Sequence, residues 1–173
     1  LLKKIKSRQE IVEALIQAIN NLRQIIDLIE KSYQRGDEFF SLDKSVKNNY
    51  LQPNISHQRG YTAFGVEHAK DNPAPDLKEF WQTGRSHDSK VSTPNYPANI
   101  WPTDAVPLFQ ETIDELYNKM ESLSLKLLSA CSLYLGKEEN WLGEMTENGN
   151  TIMRIIHYPP LGDNVTPGAV RSA

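Results

Sequence analysis

Four histidines, His57, His68, His87 and His157, are the side chains of this 173-residue chain best suited to a transition metal. None is separated from an Asp or Glu by a single intervening residue, the spacing that puts two ligands on one face of a strand. His87 and Asp88 are adjacent rather than spaced by one. No metal ligand is therefore assigned, and no catalytic residue is named in this chain. Neither a Gly-rich phosphate loop nor a Cys/His cluster occurs. The single cysteine, Cys131, excludes an internal disulfide and fits a reducing compartment. It falls in an apolar helical run, where a small buried hydrophobe is expected rather than a nucleophile.

Other polar groups with chemical potential lie on an extended run. Thr151–Tyr158 is β-branched and aromatic and is closed by Pro159 and Pro160, which cannot continue a ladder. Alternation puts Ile152, Arg154, Ile156 and Tyr158 on one face and Met153, Ile155 and His157 on the other. The Tyr158 phenol is a donor and acceptor on an apolar body, suited to a partly dry pocket. A core tyrosine bonded to backbone fits the same residue equally well. Arg154 shares that face and suits a carboxylate partner; a salt bridge capping the sheet is the role its position favours. His157, on the other face, reads as structural.

The elements that must position these groups follow from periodicity. Ile5, Val12, Leu15, Ile19, Leu22, Ile26, Ile29 and Tyr33 recur in steps of three, four and seven, which predicts one helical face over residues 1–35, as one long helix or two joined near Asn20 and Asn21, with Gly36 as its stop. That face is expected to pack on a core. Asp37–Leu42 extends the helical region with Phe39 and Phe40 buried, and Ser41–Lys44 forms an N-cap for a short helix ending near Tyr50. Leu51–Phe64 reads as loop, Val66–Lys70 as a short extended piece, and Asp76–Trp81 as a brief helix or strand. Gln82–Pro107 has little periodicity and carries Pro94, Pro97, Pro102 and Pro107, with Trp101 as its anchor. Leu108–Gly136 is a long helix whose wide apolar face includes Phe109, Ile113, Leu116, Met120, Leu123 and Leu127. Lys137–Leu142 is a second, short one.

Composition narrows the function classes. Hydrophobic and charged contents of 39% and 24% are those of a globular domain, and one domain is expected at this length. A net charge of −3 argues against a nucleic-acid surface. No apolar run is long enough to span a bilayer and no signal peptide is visible, so a cytoplasmic, membrane-free protein is expected. The start at Leu1 and the end at Ala173 suggest a portion of a longer frame.

Several stretches, in order, carry a resemblance. Arg59-Gly60-Tyr61, Gly65–Lys70, Asp76–Phe80 and Asn99–Pro102 precede Arg154–Pro160, a Gly/Pro loop and Val170–Ala173. Together they resemble the iron(II)- and 2-oxoglutarate-dependent dioxygenases related to isopenicillin N synthase. The resemblance implies an α+β fold in which an N-terminal helical and loop region, residues 1–150, leads into a double-stranded β-helix (a jelly roll). Residues 151–173 would be its first strands, truncated before the His-x-Asp/Glu motif. It implies Fe(II) and 2-oxoglutarate as cofactors of the complete protein, with their ligands outside this chain. The implied reaction converts 2-oxoglutarate to succinate while a small organic substrate is hydroxylated, desaturated or cyclised. Tyr158 and Arg154 are then expected to face the co-substrate, and Tyr61 and Arg59 the substrate. Arg59 and Glu67 suit one another, or a loop, as well. Relatives place a short strand block near Asn21 that is missing here. The competing reading is a non-catalytic helical interaction module or a truncated relic.

Overall fold

The computed structural model describes residues 2–68, 73–86, 96–161 and 168–169. His87 and Val170–Ala173 lie outside the described residues, as do parts of the stretches read as loop. The described elements are α1 (Leu2–Phe40), α2 (Lys44–Asn48), a short 3₁₀ turn (Pro53–Ile55), β1 (Gly60–Thr62), β2 (Glu79–Gly84), α3 (Phe109–Tyr134), α4 (Trp141–Glu144) and β3 (Ile152–His157). They group into two compact units. One comprises residues 1–32 with 111–149; the other comprises 33–110 with 150–173.

The second unit holds an antiparallel sheet ordered β1-β2-β3. Thr62 faces Phe80, Tyr61 faces Trp81, Gln82 faces Arg154, and Glu79 faces His157. This register sorts side chains cleanly. Thr62, Phe80, Gln82, Ile152, Arg154 and Ile156 share one face; Tyr61, Glu79, Trp81, Met153, Ile155 and His157 share the other. The second face packs on the end of α1. There Phe39 is fully buried, with the rings of Phe40, Tyr50, Tyr61, Trp81 and Phe109 at centroid distances of 5.0 to 5.8 Å.

Three features depart from the sequence expectation here. Gly36 does not stop α1, which continues to Phe40. A Cβ at this glycine would stand 3.0 Å from Ile155 Cγ2, so the missing side chain lets β3 approach the helix. β1 forms in a stretch read as loop. Gly60 adopts φ +77°, and a Cβ there would meet the Tyr50 carbonyl oxygen at 2.7 Å, so only glycine starts this strand without strain. β2 runs three residues past Trp81, and its end is closed by Asn99. The Gly84 amide donates to Asn99 Oδ1 at 2.9 Å, and Asn99 Nδ2 donates to the Gly84 carbonyl at 2.8 Å, a side-chain amide standing in for a strand.

The first unit is helical. In the part of α1 that belongs to this unit, the buried positions among the described residues are Ile25, Leu28 and Ser32, one stripe away from the predicted face. Val12, Leu15, Ile19, Leu22 and Ile26 are instead exposed, Ile19 by 66%. Periodicity identifies an apolar stripe without saying what it meets. α1 runs unbroken through Asn20 and Asn21. Along α3, Ile113, Leu116, Tyr117 and Ala130 are buried, whereas Met120, Leu125, Leu127 and Cys131 are exposed, against expectation. Gly136, at φ +70°, closes the helix: its amide donates to the Leu133 carbonyl and that of Lys137 to the Ser132 carbonyl. The buried Ser132 hydroxyl accepts from the Leu142 amide at 3.1 Å, which ties α4 to α3.

Candidate functional site

Arg154 is the centre of the outward sheet face. Its Nε donates to Gln82 Oε1 at 2.8 Å across the β2–β3 ladder, and its Nη1 donates to Glu67 Oε1 at 3.2 Å. The guanidinium lies 4.6 Å from the Phe80 ring centroid, a cation–π arrangement that fixes its plane. Glu67 also pairs with Lys78 at 2.9 Å, and Lys78 pairs with Asp76 at 2.9 Å. Burial pulls the Lys78 pKa down, but its bonds to Glu67 and Asp76 outweigh that and hold it above the ordinary lysine value. The Arg154 side chain is 40% exposed, so its ion pair contributes little to stability, about 0–1 kcal/mol. Its use is to aim the guanidinium.

A cavity of about 360 Å³ opens beside it, walled by Phe80, Gln82, Ile152 and Arg154 from the sheet and by the Ser56–Gln58 turn, Val66 and Glu67. Thr62 and Asn150 complete it. Ser56 and His57 take φ of 53° and 55°, two successive non-glycine residues in the left-handed region. That conformation costs about 1–2 kcal/mol per residue and holds the His57 ring against the cavity.

The opposite face carries a buried polar cluster around Glu79. Lys47 Nζ donates to Glu79 Oε2 at 2.8 Å and to the Phe40 carbonyl at 2.9 Å. The Tyr61 hydroxyl donates to the same carboxylate, and His157 places its Nδ1 2.8 Å from Oε1. Burial disfavours the Glu79 charge, but the bonds from Lys47, Tyr61 and His157 with the Lys47 charge prevail, keeping its pKa below the usual carboxylate range. Burial first, then the bond to Glu79, raises the Tyr61 pKa. The His157 ring stacks on Phe40 at 5.1 Å. A smaller cavity of about 270 Å³ touches Lys44, Lys47, Tyr61, Phe64, Glu79 and Pro159.

The four expected site residues are thus separated by the sheet. Arg154 lines the larger cavity. Tyr61 is on the other face, lining the smaller one. Tyr158 follows β3, half-buried, and is in neither wall. Arg59 is 1% exposed; its Nη1 donates to the Gln58 carbonyl and its Nη2 to Asn150 Oδ1 at 2.9 Å. It therefore positions Asn150, while Glu67 is held by Lys78 and Arg154. Arg59 packs so closely on Gly84 that a Cβ there would collide with its guanidinium. Glu79, Lys47, Thr62 and Gln82 were missed as site residues. The alternation within Glu79–Gly84 was the available signal, but reading it required knowing that the stretch is a strand. Among the described residues no three His, Cys, Asp or Glu side chains converge to hold a metal ion, and none of their helices is long and apolar enough to cross a membrane.

Comparison with known proteins gives these features a family. Residues 6–104 match the family model described as non-haem dioxygenase in morphine synthesis N-terminal. A 2-oxoglutarate-Fe(II) type oxidoreductase, hxnY of Emericella nidulans, is 30% identical over 70% of this chain and 37% of its own length. A structure described as a 2OG-Fe(II) oxygenase family protein from Caulobacter crescentus superposes with a TM-score of 0.69 at 32% identity, over 80% of this chain and 45% of that one. A full-length Neurospora crassa protein, solved in complex with alpha-KG, gives a TM-score of 0.65 at 26% identity over 85% of this chain and 46% of that one. The chain spans less than half the length of these relatives. With more than half of its residues inside the family match, the chain belongs to the non-haem dioxygenase N-terminal family, among the iron(II)- and 2-oxoglutarate-dependent oxygenases related to isopenicillin N synthase.

Proposed function

We propose that this chain is the N-terminal portion of an iron(II)- and 2-oxoglutarate-dependent oxygenase that oxidises a small organic molecule by hydroxylation, desaturation or cyclisation. The observation that carries the reading is the cavity on the outward sheet face, with an oriented Arg154 at its wall. The described residues do not fit an iron centre, so no step is assigned to a metal held by them. Their part is to bind and orient: Arg154 offers N–H donors to an oxygen of substrate or co-substrate, and Tyr158, the residue directly after β3, is a candidate contact of the longer polypeptide rather than of either cavity described above. Tyr61, bonded to Glu79, stiffens the sheet from behind and borders the smaller cavity.

The purified 173-residue chain is expected to bind no stoichiometric iron(II) and to form no succinate from 2-oxoglutarate. The same residues within a polypeptide that also supplies a His-x-Asp and a second His are expected to do both. Tight iron uptake with succinate release by the chain alone would overturn this division of labour. In the longer polypeptide, Tyr158→Phe removes one hydroxyl and little volume. A lost bond to a charged group is worth about 1.5–3 kcal/mol, roughly a ten- to hundredfold fall in affinity or rate. Unchanged kinetics would leave Tyr158 as a strand residue only.

A helical interaction module is a second reading, favoured by the exposed Val12, Leu15, Ile19, Leu22 and Ile26 seam of α1 at coiled-coil spacing. Sedimentation of the chain across a concentration series tells the two apart.

A further inference from the structure

The polar groups around the 360 Å³ cavity are only partly used. Thr62 is 3% exposed, yet its hydroxyl has no hydrogen-bond partner among the described residues, and the same holds for His57 Nδ1. Both residues line the cavity, and a buried polar atom without a partner forfeits its hydration, so a ligand atom brought within reach by a small turn of either side chain would complete it. The strained Ser56–His57 turn holds the imidazole at that wall. Arg154 contributes more donors. Nε is spent on Gln82 and one Nη1 hydrogen on Glu67, which leaves most of the guanidinium fork without a protein acceptor among the described residues.

Charge decides which ligand suits these groups. Arg154 and Lys78 are matched by Glu67 and Asp76 in one connected set, so the cavity wall is already balanced. An entering carboxylate would add an unmatched negative charge beside Glu67. A carbonyl oxygen accepts the same N–H groups without that penalty. Val66, Phe80 and Ile152 supply the apolar remainder of the wall, and the volume suits a single-ring molecule. We propose that this cavity binds a small uncharged carbonyl compound, such as an amide, lactam or imide. Its oxygen would rest on Arg154 and its polar edge on the Thr62 hydroxyl and the His57 imidazole. The inference rests on the oxygenase reading only in taking that compound as the substrate; binding itself requires neither iron nor 2-oxoglutarate.

Benzamide titrated into the intact chain, followed by ¹H–¹⁵N NMR, tests this, with benzoate as a charged molecule of the same shape. Benzamide is expected to saturate, with shifts at Thr62, Gln82 and Arg154, and benzoate to bind about tenfold more weakly or less. Thr62→Val keeps the shape and removes an unsatisfied buried hydroxyl, so benzamide affinity should fall about two- to tenfold while the melting temperature stays at or rises above that of the parent. His57→Gly should raise the melting temperature, because glycine relieves the left-handed backbone, while still weakening benzamide. Those opposite signs are not expected of a residue with a structural role alone. Benzoate binding as well as benzamide, absence of saturable binding, or unaltered affinity in both variants would overturn the proposal. Benzamide binding that survives while the longer polypeptide forms no succinate would reject the oxygenase reading and leave this site standing.

Discussion

Glu79→Ala is expected to destabilise the unit formed by residues 33–110 and 150–173 by about 3–5 kcal/mol, because it strands the Lys47 ammonium in the interior. Glu79 is 4% exposed and accepts from Lys47, Tyr61 and His157 at once. Removing it leaves three donors without their acceptor, and one of them carries a charge. Urea denaturation followed by near-UV circular dichroism measures the loss. The double variant Lys47→Met with Glu79→Leu should recover a large part of it, since a buried ion pair replaced by apolar groups is often close to neutral. A single variant that melts with the parent would mean that water reaches the cluster. The same carboxylate sets an acid limit. Its folded pKa lies below its unfolded value, so its contribution is complete above about pH 4.3 and is lost as pH falls through the folded value. Glu79→Gln should lack that component of acid unfolding.

Phe39→Ala is the second large effect, about 3–5 kcal/mol, since it opens a cavity among five aromatic rings that cannot all collapse into it. Phe39 has no exposed surface, and Trp81, with its centroid at 5.0 Å, leans on it edge-on. Phe39→Leu should cost distinctly less because it keeps much of the volume. Denaturant midpoints at constant m-value give both numbers. If Phe39→Ala falls within about 1 kcal/mol of the parent, the aromatic cluster does not anchor α1 on the sheet.

Both effects arise where the sequence was only half legible. Phe39 and Phe40 were expected to be buried and are, since two adjacent aromatics at the end of an amphipathic run have few other places to go. Glu79 and Lys47 gave no such sign. A charged residue is normally read as solvated, and only a partner thirty-two residues away makes its burial tolerable. Arg59, expected to face substrate or to pair with Glu67, lies buried against Gly84 and bonded to Asn150, a setting that no local pattern around it shows.

What this sequence determines by itself is local: the helices α1 and α3, the strand β3 with its two alternating faces, Gly136 as a stop, and the ordered stretches that carry the family resemblance. Each depends on periodicity or backbone chemistry within a few residues. What only the tertiary structure decided is pairing. The register Gln82–Arg154 puts Arg154 on the cavity and the register Tyr61–Trp81 turns Tyr61 away from it. A strand shifted by one residue would exchange those roles, and no local signal distinguishes the two registers. Burial followed the same rule. The apolar stripe of α1 was visible in the sequence, yet the structure buries Ile25 and Leu28 beside it, because contact between distant segments selects the face.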